Sequence, residues 1–130
     1  MLPCDPWLRI QAESVADNWS PEPWPVGSPA RPPIVTAGVV ASADIWTQAP
    51  ARIERLHARH ASLCEDMEAA AIAQICALHT VPFLTIKDIS NNELLRTTDA
   101  AYFDGETAGQ LGRRAAALTL ATLQTIDDRR

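Results

Sequence analysis

Two nearly continuous apolar runs, separated by stretches of helical period, constrain this chain more than any other feature. The first is Ile34 to Ser42 (Ile-Val-Thr-Ala-Gly-Val-Val-Ala-Ser) and the second is Pro82 to Ile89 (Pro-Phe-Leu-Thr-Ile-Lys-Asp-Ile). A strand with one wet face alternates apolar and polar residues. A run apolar at almost every position suits a strand covered on both faces, as in a parallel sheet. Between the runs, Pro50 to His60 predicts a polar helix with Ile53 and Leu56 as its apolar stripe, and Ser62 to Cys64 a short strand. Met67 to His79 predicts the clearest helix, with Met67, Ala70, Ala71, Gln74, Ile75 and Leu78 at helical spacing and five alanines allowing close packing.

The ends add helices. Asp5 is placed to cap a short amphipathic helix carrying Trp7, Leu8, Ile10, Ala12 and Val15, with Pro6 at the first position, where a missing N–H is harmless. Gly105 to Ile126 predicts a long Ala/Leu-rich closing helix in which Gly109 and Gly112 allow close contact or a bend. Residues 20–33 carry six prolines and no apolar period, which predicts an exposed loop. The order strand, helix, strand, helix implies an α/β layer structure with a largely parallel sheet in one domain. Two or three strands leave such a sheet without neighbours or cover, so the chain is expected to be part of something larger.

Composition removes several classes of function. Of 130 residues, 47% are apolar and 21% charged, the balance of a folded chain. A net charge of −5 with Lys87 as the single lysine argues against a nucleic-acid partner. No apolar run is long enough to span a bilayer, and residues 1–6 lack the basic-then-apolar order of a signal peptide, so no membrane partner is expected. Cys4, Cys64 and Cys76 form no CxxC pair, and their odd number predicts reduced thiols in a cytoplasmic protein. His57 and His60 stand three apart on a polar helix without a suitably spaced acid or cysteine, so they are read as solvated and no metal is expected.

Asp66-Met67-Glu68 falls where a strand gives way to a helix, at the carboxyl edge of the sheet where open α/β folds bind ligands. A carboxylate held at a helix start can accept the two hydroxyl protons of a sugar diol. The same spacing suits Asp66 as an N-cap and Glu68 as a first-turn acid that merely matches the helix dipole. Ser90-Asn91 ends the second apolar run, projecting at the same rim or serving as turn residues. Strand alternation points Asp88 to the face opposite Asn91, and Glu65 is expected to face solvent.

Four blocks in this order carry a resemblance. They are Gly38-Val39-Val40-Ala41-Ser42-Ala43-Asp44, Asp66-Met67-Glu68-Ala69-Ala70-Ala71-Ile72-Ala73, Val81-Pro82-Phe83 leading to Ile86-Lys87-Asp88-Ile89-Ser90-Asn91, and the final Ala/Leu-rich helix. They resemble the family that includes methylthioadenosine/S-adenosylhomocysteine nucleosidase, futalosine hydrolase and the related purine nucleoside phosphorylases, over about Asp5 to Gln124. Ala43 stands where the family usually has Gly, a change that matters if the turn needs positive φ.

The resemblance implies a partial three-layer α-β-α sandwich of the nucleoside phosphorylase type, with residues 1–130 as the C-terminal portion of a single domain lacking its N-terminal strands. It implies cleavage of a purine nucleoside at the N-ribosyl bond, without a cofactor. Glu68 matches the family's ligand of the ribose hydroxyls, Met67 the residue under the sugar, and Asp66 belongs to the same clamp. Trp46 matches an aromatic that stacks on the purine, although an ordinary core indole fits its sequence context equally, and Thr47 would offer backbone groups to the base edge. Asn91 stands where nucleosidases carry the Asp that protonates the leaving base. An amide cannot deliver that proton, though with Ser90 beside it it can hydrogen-bond N7 and a 6-oxo group, as in futalosine hydrolases and 6-oxopurine phosphorylases. Tyr102 and Phe103 lie where the family has an aromatic loop over the 5′ group, or are aromatics of a surface loop.

The resemblance places the phosphate or water site in an N-terminal half that this chain does not match. The expectation is therefore a truncated nucleosidase-type chain of doubtful activity alone, paired with a second copy or with a separate N-terminal half. A non-catalytic nucleoside-binding remnant is the alternative.

Overall fold

The computed structural model describes residues 2–20, 34–94 and 110–128. Among them run α1 (Pro6–Ala16), β1 (Val39–Ser42), α2 (Pro50–His60), β2 (Ser62–Asp66), α3 (Ala69–Leu78) and α4 (Arg113–Asp127). These residues group into two compact units. One holds residues 2–5, Ala37–Thr85 and 91–94, and the other holds residues 6–20, 34–36, Ile86–Ser90 and 110–128.

The first unit is built on a β-α-β crossover. β1 and β2 pair in parallel, Val40 opposite Cys64, Ala41 opposite Glu65 and Ser42 opposite Asp66, with one irregularity between Val39 and Val40. Gly38 runs against β2 so closely that a Cβ there would land in the Leu63 side chain. Pro50 opens α2, and Ala61 closes it in the left-handed region at φ 52°, its N–H donating to the His57 carbonyl. Ile53 and Leu56 are half-buried while the rest of α2 is exposed, as its stripe predicted. α2 lies against β2 and α3 against β1.

Several expectations are corrected here. The strand read from Ile34 pairs only over Val39–Ser42, and Ile34 is 83% exposed. Apolar character marks what a segment tolerates, but a strand needs a ladder partner, and β2 supplies one only from Ser62 onward. Conversely, the strand read over Ser62 to Cys64 extends to Asp66. Pro82 to Ile89 is not a strand: it pairs with no ladder among the described residues, although residues 83–86 are half-buried and the Phe83 carbonyl accepts from the Asp5 N–H at 2.7 Å. α3 buries Ala69 and Ala73, whereas Met67, Ile75 and Leu78 of the expected stripe are 49%, 59% and 75% exposed. Close approach of helix to strand favours the smallest side chains, so the alanine edge faces β1.

In the second unit α1 packs on α4. Pro6 is the first helical residue, as expected, and α1 buries Gln11 and Ala12. The covered face is Leu8, Gln11, Ala12 and Val15, an i, i+3, i+4, i+7 set, while Trp7 and Ile10 lie outside it at 50% and 53% exposure. α4 buries Arg114, Leu118 and Thr122, four residues apart. Its threonines can face inward because Thr119, Thr122 and Thr125 donate their hydroxyls to the carbonyls of Ala115, Leu118 and Ala121 at 2.7, 2.8 and 3.0 Å. Of the helix expected from Gly105, residues 105–109 lie outside the described residues. Gly112 is not inside the helix but precedes it at φ +82°, a left-handed cap that a Cβ would strain.

Candidate functional site

The parallel strands bring their carboxyl ends together, Ser42 facing Asp66, and both side chains turn onto the start of α3. Asp66 Oδ1 accepts from the Ala69 N–H at 3.2 Å, and Ser42 Oγ accepts from the Ala70 N–H at 2.9 Å. The Ala43 N–H donates to the Asp66 carbonyl at 3.1 Å and so continues the ladder past β1. Two of the orphan N–H groups of the helix are thus satisfied from within the fold. Asp66 does the work of an N-cap side chain, although the N-cap position is Glu68, which makes no side-chain cap bond. Glu68 bends the other way: its Oε2 accepts from the Met67 N–H at 3.2 Å, and both residues are exposed. A carboxylate and a thioether therefore stand in solvent at the end of the sheet, carried by a helix start that does not consume them.

A second cluster lies in the same unit. Trp46, four residues past β1, is 49% exposed, which overturns its reading as a core indole. Its Nε1–H donates to Glu93 Oε1 at 3.1 Å, and the Nδ2–H of Asn91 donates to the same oxygen at 2.8 Å. The structure thus joins two of the predicted site residues through a third that the sequence reading missed. The signal was available in the turn: Asn92 Oδ1 accepts from the Leu94 N–H at 3.0 Å, an Asx turn that sends Glu93 back. Thr47, next to Trp46, is buried at 6% exposure.

The remaining predicted residues are not gathered here. Ser90 is half-buried and belongs to the second unit. Tyr102 and Phe103 lie outside the described residues. Asp88 has a different task from Asn91: its Oδ1 lies 3.3 Å from Arg114 Nε, and its Oδ2 accepts from the Arg114 backbone N–H at 3.2 Å. Glu65 is corrected from solvent-facing to half-buried. Its Oε1 is buried and finds no hydrogen-bond partner among the described residues. The three cysteines are free and half-buried. Among the described residues no cluster of three or more His, Cys, Asp or Glu could hold a metal ion, and no helix is long and apolar enough to cross a membrane.

Over 58 residues the chain is 41% identical to the 5'-methylthioadenosine/S-adenosylhomocysteine nucleosidase of Geobacillus sp. (strain WCH70), a match covering 44% of this chain and 25% of the relative. The enzyme of the same name from Bacillus subtilis (strain 168) is 38% identical over 58 residues, again 44% of this chain and 25% of the relative. That of Thermotoga maritima is 34% identical over 55 residues, 42% of this chain and 25% of the relative. The matched stretch therefore spans 25% of the length of these curated relatives. No solved structure matches the chain. The model of the phosphorylase superfamily matches residues 2–124, nearly the whole sequence, and the chain belongs to that superfamily.

Proposed function

We propose that this chain binds a purine nucleoside and serves N-ribosyl cleavage of the methylthioadenosine/S-adenosylhomocysteine type. The observation that carries the reading is the exposed Glu68-Met67 pair at the carboxyl end of β2, beside a helix start already satisfied by Asp66 and Ser42. An acid spent on capping could not also clamp a sugar, and here the two tasks fall to different residues. Glu68 accepts the ribose hydroxyl protons, Met67 lies beneath the sugar, and Asp66 fixes the helix start that carries them. Trp46 stacks on the base, the Thr47 backbone meets its edge, and Asn91, with Ser90 next to it in the chain, hydrogen-bonds it. Tyr102 and Phe103 are proposed to cover the 5′ group.

In the reaction the bond from C1′ to the base nitrogen breaks and its electron pair leaves with the base, which takes up a proton. An oxygen nucleophile, water in hydrolysis, bonds to C1′ from the opposite face and gives up a proton. The oxocarbenium-like sugar between these events gains most from groups already in place around it. The Asn91 amide can hydrogen-bond the leaving base but cannot protonate it. Activation of the nucleophile is assigned to no described residue.

The amide at Asn91 also favours a second reading, a futalosine hydrolase or 6-oxopurine phosphorylase-like preference. Calorimetric titration with adenine, hypoxanthine and methylthioadenosine separates the cases. Saturable binding of methylthioadenosine that weakens in Glu68→Ala, with adenine binding kept, supports the ribose clamp. Preference for hypoxanthine favours the 6-oxo reading. Binding of none of the three removes the nucleoside function.

A further inference from the structure

Trp46 and Asn91 reach the base only if something holds them in place, and packing covers only part of Trp46, which is 49% exposed. Glu93 ties both. Its Oε1 receives the indole N–H at 3.1 Å and the Asn91 amide N–H at 2.8 Å, so one half-buried carboxylate oxygen links a residue just past β1 to one 45 positions later (91 − 46 = 45). An ionised carboxylate only accepts hydrogen bonds. The amide of Asn91 must therefore turn its nitrogen toward Glu93, and a flip that distances alone leave open is decided by chemistry. The Asx turn at Asn92 holds the backbone that delivers the carboxylate.

We infer that Glu93 is the positioning residue of the base site. It acts through Trp46 and Asn91 and not on the substrate, and the inference rests on the purine-nucleoside reading above. Two consequences follow from the geometry. Anchored by its N–H, the indole keeps one orientation of its flat face. With its amide polarity set, Asn91 meets a base edge as one arrangement of donor and acceptor in place of two interchangeable ones. Adenine and hypoxanthine differ at that level, by an amino group against an oxo group. Glu93 is thus a determinant of discrimination between them as well as of affinity.

The test uses the full 130-residue chain with free adenine and hypoxanthine as probes. The Trp46 indole resonance in a proton–nitrogen correlation spectrum is assigned by its loss in Trp46→Phe. In Glu93→Ala it moves upfield, and in Glu93→Gln, which keeps an acceptor oxygen, it stays closer to its original position. Calorimetry shows adenine affinity reduced about tenfold in Glu93→Ala and about threefold or less in Glu93→Gln. The ratio between the two bases narrows in the alanine variant. In a Trp46→Phe background, which keeps an aromatic face without the N–H, the cost of Glu93→Ala shrinks to about threefold, since the indole arm is then already absent. An unmoved indole resonance, or an undiminished loss in the Trp46→Phe background, overturns the positioning role while leaving nucleoside binding intact. A wild-type chain that binds neither base overturns the nucleoside reading and the positioning role together.

Discussion

Two helices of this protein begin against an aspartate, and the two starts differ. At α3 the aspartate is local: Asp66 accepts the Ala69 N–H, Ser42 from β1 accepts the Ala70 N–H, and Glu68 and Met67 stay in solvent. At α4 the aspartate comes from 26 residues upstream (114 − 88 = 26), and Asp88 takes both the backbone N–H and the guanidinium of Arg114. Arg114 is 5% exposed and Asp88 13%, so the pair is largely buried. The same dipole and the same orphan N–H groups are satisfied at both places. A carboxylate near a helix start is therefore no mark of a site by itself. What distinguishes α3 is a second acid that the helix does not need.

The sharpest way to break this comparison is at the closed pair. Asp88→Ala removes the carboxylate beside the buried Arg114 guanidinium and is expected to cost about 3–5 kcal/mol, read from the urea midpoint. If that variant unfolds no more easily than the wild type, the α4 start is not the structural element described here. Next in size is Asp66→Ala, expected to cost about 1–2 kcal/mol through loss of a part-buried cap, with Ser42→Ala at about 1 kcal/mol. A loss at Asp66 as large as at Asp88 would erase the contrast between the two starts.

Glu65 runs in the opposite direction. Its buried Oε1 has no hydrogen-bond partner among the described residues. Glu65→Leu is expected to raise stability by about 1 kcal/mol in the same denaturation experiment, because an unsatisfied polar atom is exchanged for apolar volume. A marked loss would show that the carboxylate is engaged in solution. The smallest effect on stability is expected at Glu68: Glu68→Ala should stay within about 0.5 kcal/mol of wild type, as exposed substitutions do. Its consequence should appear in methylthioadenosine affinity, expected to fall about tenfold or more for loss of a charged hydrogen-bond acceptor. A Glu68→Ala variant that destabilises strongly but binds normally would exchange the roles of Glu68 and Asp66.

How much of this was legible in the sequence depends on the range of the interaction concerned. The helices of local period, α1 and α2, lie where Pro6, Pro50 and the Ile53–Leu56 stripe put them, because a proline at the first turn and an i, i+3 stripe act within one helix. Strand extents were misread at Ile34 and at Pro82 to Ile89, because apolar content does not reveal where a ladder partner begins or ends. The buried face of α3 was misread for a related reason. Its sequence is apolar nearly all round, so periodicity cannot say which edge meets β1, and the smallest side chains won. At Glu93 the turn chemistry of Asn92 was legible, but the link to Trp46 was not, because Trp46 lies 47 residues away in sequence.

The residue order alone determined the α/β alternation, the helix starts at Pro6 and Pro50 and the placing of Asp66, Met67 and Glu68 at the strand-to-helix junction, since these depend on neighbours a few positions apart. The tertiary structure decided which of those acids caps the helix and which remains exposed, that Asp88 closes on Arg114, and that Glu93 joins Trp46 to Asn91. Each of these is a contact between segments that the chain must first bring together, and one-dimensional spacing carries no record of it.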